Sequence, residues 1–82
     1  IMNKYGLKEH LNHLNFIGKV EEFSGGHILV SDCNGIHLLE VSTKDVPYMT
    51  AYLGLDDLPL DKQMILSDIV TMYINSYKEE PK

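Results

Sequence analysis

The chain has 82 residues, 44% of them hydrophobic and 23% charged, with a net charge of −5. That is the composition of one ordinary globular domain, residues 1–82, of a size that buries only about 60% of its unfolded surface. All seven basic residues are lysines, and Lys4, Lys8, Lys19, Lys44, Lys62, Lys78 and Lys82 form no stripe, so the basic footprint and bidentate arginine contacts of a direct nucleic-acid binder are absent.

The longest apolar runs are three or four residues, too short for a membrane span. No charged-then-apolar signal pattern opens the chain. Cys33 is the single cysteine, which leaves no internal disulfide, and a cytoplasmic protein is expected. Ile1 ahead of Met2 reads as an expression remnant. A lean toward Lys, Ile, Asn and Tyr without Arg or Trp fits an AT-rich bacterial or phage coding sequence.

In chain order, residues 3–14 read as a short helix, with Leu7, Leu11 and Leu14 as an apolar stripe. Residues 16–23 read as a first strand, and Ser24-Gly25-Gly26 as its turn. A three-residue loop opposes Phe23 with His27 and Val20 with Val30. A two-residue loop would slip the register by one and bury Lys19 and Glu21. Asn34-Gly35 between apolar runs then signals a two-residue type I′ hairpin, in which both central residues need φ > 0. That turn pairs Cys33 with Ile36, Asp32 with His37, Ser31 with Leu38, Val30 with Leu39, Leu29 with Glu40 and Ile28 with Val41. Ile28, Val30, Leu39 and Val41, with Phe16, Gly18 and Val20, form the core face. The opposite face carries Leu29, Ser31, Cys33, Ile36, Leu38 and Glu40, more apolar than a solvated face requires.

Asp45 suits the N-cap of a helix through Tyr48, Met49 and Tyr52, with Pro47 in its first turn and Gly54 at its end. Asp57 or Asp61 caps a last helix from about residue 60 to 78. At 100° per residue, Ile65, Leu66, Ile69, Val70, Met72, Tyr73, Ile74 and Tyr77 fill an arc of roughly 200°, wider than one packed face needs. Residues 79–82 read as a frayed tail. The expected fold is α+β, a three-stranded antiparallel β-meander flanked by helices in the order α-β-β-β-α-α.

Four groupings invite chemistry. His10 and His13 stand one helical turn apart, the spacing of two zinc ligands, but His-Glu-x-x-His is absent and no third ligand is fixed. Cys33, His37 and Asp32 carry the residue types of a nucleophile and its base, yet alternation sends Cys33 and His37 to opposite faces. Ser24-Gly25-Gly26 lacks the P-loop lysine and precedes a strand, so it is a turn. Asp56, Asp57, Asp61 and Asp68, with Asp45, give an acidic surface that suits helix capping, or mimicry of nucleic acid by an inhibitor.

The excess of apolar surface is the broader signal. Leu29, Cys33, Ile36, Leu38, Tyr48, Tyr52 and Met72, with Met49 and Met64, supply aliphatic, aromatic and thioether groups of the kind enriched at interfaces. The expectation is a non-enzymatic interaction protein without a cofactor, binding a protein partner or a second copy of itself. An acidic inhibitor of a nucleic-acid-binding protein and a histidine metal site are the alternatives.

Overall fold

The computed structural model describes residues 2–23 and 25–79. The expectations for Ile1, for Ser24 in the first turn and for fraying of residues 80–82 lie outside them. The elements are α1 (Lys4–Asn12), β1 (Ile17–Phe23), β2 (His27–Asp32), β3 (His37–Ser42), β4 (Tyr48–Ala51), α2 (Leu53–Asp56) and α3 (Leu60–Glu79). The four strands form one antiparallel meander in the order β1-β2-β3-β4. The fold is therefore α+β with one strand more than the sequence pattern indicated.

That fourth strand replaces the helix expected over residues 45–54. Asp45 is no N-cap; it turns the β3–β4 loop in the left-handed region, at φ 58°, where Asp is tolerated better than most residues. Pro47 then precedes the strand, and Tyr48 to Ala51 pair with Ser42 to Leu39. A local helix would bury little, whereas the open side of β3 offers a ladder of backbone partners. Tertiary pairing overrides the local signal. Gly54 lies inside α2 rather than ending a helix, and Asp57 is the C-cap of α2. Pro59 accepts the first backbone bonds of α3, from Lys62 and Gln63, which leaves Asp61 in its first turn.

The β1–β2 register is the expected one, with Phe23 opposite His27 and Val20 opposite Val30. At the β2–β3 tip only Gly35 has positive φ, at 83°, so the turn is not type I′. Gly35 N–H donates to the Asp32 carbonyl and Asp32 N–H to the Ile36 carbonyl, at 3.0 and 2.9 Å. This is a three-residue loop closed by a left-handed glycine. Asp32 Oδ1 fixes it by accepting from the N–H groups of Asn34 and Ile36, at 2.8 and 2.9 Å. The extra loop residue moves the strand by one, so Ser31 faces His37. A bulge at Leu38 moves it back, restoring Val30 opposite Leu39.

One core lies between the sheet and the helices α1 and α3. Ile28, Val30, Leu38, Leu39 and Val41 meet Leu7 and Leu11 of α1 and Leu66, Val70 and Tyr73 of α3. A second irregularity at Gly18 brings Ile17, not Gly18, into that core. On α3 the buried line is Leu66, Val70, Tyr73 and Ser76, while Ile65 and Met72 stay exposed. Asn3 caps α1 by accepting from Gly6 N–H at 2.9 Å.

Glu22 shares the inner face of β1 with Val20, and α1 answers its charge. Lys4 and Lys8, one turn apart, donate to its two oxygens at 3.0 and 2.9 Å. Those bonds hold the Glu22 carboxyl below the usual glutamate range, and the bond to Glu22 raises Lys4. A depressed carboxylate stabilises the fold above its unfolded pKa and loses that contribution as pH falls through the folded value. Glu22→Gln is therefore expected to lower the urea midpoint at neutral pH. The gap from wild type should close as the pH falls below about 4. Midpoints of the two proteins across that range check the sign.

Candidate interaction face

Because Ile28, Val30, Leu39 and Val41 point inward, their neighbours build the outer face of the sheet. Its rows follow from the register. Glu21, Leu29, Glu40 and Thr50 form one row, and Phe23, His27, Ser42 and Tyr48 the next. Lys19, Ser31 and His37 form a third, toward the hairpin tip. Glu21, Phe23, Tyr48 and Thr50 are exposed, with Leu29, His27 and Glu40 half-buried at the centre. Phe23 and Tyr48 keep 45% and 55% of their surface in solvent, large fractions for aromatic rings.

A polar line crosses this face. His27 Nδ1 lies 2.9 Å from Glu40 Oε2, within ion-pairing distance but outside hydrogen-bonding angles. Glu40 Oε1 accepts from the Tyr52 hydroxyl at 3.0 Å. The Tyr52 ring in turn meets His37 edge-on, with centroids 5.8 Å apart. Donation to Glu40, then burial and the carboxylate charge, raise the Tyr52 phenol above its usual range. Glu40 thus links the Tyr52 ring, just past the end of β4, to the His27 ring on β2.

The expected site residues divide between places. Leu29, Tyr48 and Tyr52 are together on the outer face. Ile36 is 51% exposed and packs at the hairpin tip against Gly54 of α2, where an added Cβ would meet its Cγ2. Cys33 is exposed at the same tip. Leu38 is fully buried; the bulge turns it into the core, which corrects its placement on the outer face. Met72 is exposed on the helical side, over an open depression of about 290 Å³ that it lines with Met2, Asn3, Gly6 and His10. Asp56, Asp57, Asp61 and Asp68 are all exposed along α2 and α3.

Asp32 and His37 do not pair, because the longer loop puts Ile36 opposite Asp32. The Cys33 thiol points toward the Asn15 carbonyl, 3.8 Å away, and His37 toward Tyr52, so thiol and imidazole diverge. His10 and His13 are exposed, and among the described residues no three His, Cys, Asp or Glu side chains group to hold a metal ion.

Sequence reasoning missed the His27–Glu40–Tyr52 line. The diagonal from His27 to Glu40 was present in the expected register. A helix over residues 45–54, as the local signals indicate, puts Tyr52 out of reach of Glu40. Among the described residues no helix is long and apolar enough to cross a membrane. Comparison of the chain with protein-family models, with curated proteins and with solved structures gave no match.

Proposed function

We propose that this protein is a small non-enzymatic interaction module, homodimeric or partner-binding, of the regulatory or inhibitory kind found in bacteria and phages. The supporting observation is the outer sheet face. Both helices of the core lie on the other side, and Phe23, Leu29, Tyr48 and Tyr52 are left around a fixed polar centre. Exposed aromatic groups are enriched at interface cores, and polar groups held in place lose little entropy on binding. Cys33 and His37 turn away from each other, which argues against thiol catalysis at the hairpin.

The test is association measured with and without the face. The chain should sediment as an oligomer, or recover a protein when used as bait in an extract of its source cell. Phe23→Glu, at an exposed position of the outer face, should remove capture of a partner protein while keeping the thermal unfolding midpoint near wild type. A chain that neither self-associates nor captures any protein sinks the reading.

A further inference from the structure

The two edges of the sheet are built differently. β1 carries Lys19, Glu21 and Glu22 and an irregularity at Gly18, the charges and bulges that keep an edge from pairing. β4 has none of these: Tyr48, Met49, Thr50 and Ala51 are uncharged, and all four are exposed. Tyr52 N–H donates to the Leu38 carbonyl of β3. By alternation the backbone groups of Tyr48 and Thr50 also face β3, and those of Met49 and Ala51 face outward. Pro47 falls in the outward set and has no N–H to offer.

From this edge we infer that β4 pairs antiparallel with β4 of a second copy about a two-fold axis at Thr50, joining the two sheets into one. The inference rests on the interaction reading above and names the partner. Self-pairing admits few registers, and Pro47 selects among them. With Met49 opposite Ala51 of the other copy, every outward N–H and carbonyl of both residues is satisfied. A register centred on Met49 sets Pro47 against Ala51 and orphans a carbonyl. One centred on Ala51 sets Met49 against Leu53, which already belongs to α2.

The favoured register is also complementary in side chains. On the outer face Tyr48 meets Tyr52 of the other copy, and Thr50 meets Thr50. Aromatic pairs and Thr–Thr pairs directly opposite are both favourable. Glu40 already fixes the Tyr52 hydroxyl, so the ring is in place before association. No like charges meet across the axis. The same rotation carries the loop with Lys44 toward the other copy's α2, where Asp56 and Asp57 are exposed.

The test reads mass by size exclusion with light scattering and register by cross-linking. The wild-type chain should run at twice its chain mass. Thr50→Lys opposes two ammonium groups on the axis and should run as a monomer. Its side chain is exposed in the monomer and its backbone bonds to β3 are untouched, so circular dichroism should be unchanged. In a Cys33→Ser background, Thr50→Cys should form a covalent dimer under mild oxidation, because non-hydrogen-bonded antiparallel pairs lie about 4.5 Å apart at Cα, within disulfide reach. A monomeric wild type overturns the inference, as does a dimer that survives Thr50→Lys or fails to cross-link through Thr50→Cys. If the wild type is monomeric yet captures another protein in a Phe23-dependent way, the interaction reading stands without this partner.

Discussion

Truncating Leu38 to alanine is expected to lower the unfolding free energy by about 2–5 kcal/mol, the range for deleting a fully buried leucine. The effect should match that of Leu39→Ala. In a regular strand adjacent residues point to opposite faces, so one of two neighbouring leucines would be solvent-facing and cheap to remove. The bulge between the Val30 and Ser31 pairings breaks that rule. Leu38 and Leu39 both retain 0% of their surface and share one core cluster. Ile36→Ala, at a position 51% exposed, should cost far less. Urea unfolding of the three variants, compared at similar m-values, separates the cases. A small effect for Leu38→Ala would return that residue to the outer face.

The consequence for such a small domain is severe. Net stabilities of single domains are about 5–15 kcal/mol, and small chains sit toward the low end. Losing Leu38 alone would therefore populate the unfolded state. The loss of association that followed would have the wrong cause. Tests of the outer face need Phe23 or Thr50, whose side chains are exposed and whose removal leaves the core filled.

Much of the fold was legible because the hydrophobic pattern of β1 and β2 tolerates only one register. Burying Lys19 and Glu21 was the alternative, and charge burial excluded it. Leu7 and Leu11 likewise placed α1, and Leu66, Val70 and Tyr73 placed α3. The hairpin tip was half legible. Asn34-Gly35 marked a turn, but the side chain that shapes it is Asp32, whose Oδ1 accepts two backbone N–H groups and lengthens the loop. Its displacement of the strand is cancelled by the Leu38 bulge, so Val30 still faces Leu39 and the core pairing came out as expected for a different reason. Leu38 was misplaced between the two irregularities.

β4 was not legible from local signals. Asp45, Pro47 and Gly54 each have a good position in a helix, and the strand of four exposed residues has no alternating pattern of burial. What fixes it is β3, whose outer side would otherwise be an edge. The candidate site depends on that strand, since Tyr48, Thr50 and Tyr52 reach the sheet only through it. The Glu22 clamp was missed for a related reason: Lys4 and Lys8 are near it in space and distant in sequence.

Gly18→Ala is the second substitution with a large expected effect, and two opposed terms decide its sign. Replacing glycine restricts the unfolded chain and would stabilise the fold by about 0.4–1 kcal/mol if the native site accepted a Cβ. This site does not. The added carbon would sit 2.7 Å from Cys33 Cα and 2.8 Å from the Asp32 carbonyl carbon, and closer still to that carbonyl oxygen. Those atoms are backbone, held by the Asp32 carboxylate turn, so no rotamer change relieves the contact. Overpacking of this kind costs about 1–3 kcal/mol, which outweighs the entropic gain. A net destabilisation is expected, larger for Gly18→Val. The damage should concentrate where β1 meets the hairpin tip, as faster hydrogen exchange at Lys19 and Ser31 than at Phe23 and His27. Two strands separate β1 from the β4 edge, so residual folded protein should keep wild-type association. A Gly18→Ala protein more stable than wild type would mean that β1 and the Asp32-Cys33 backbone are not in close approach.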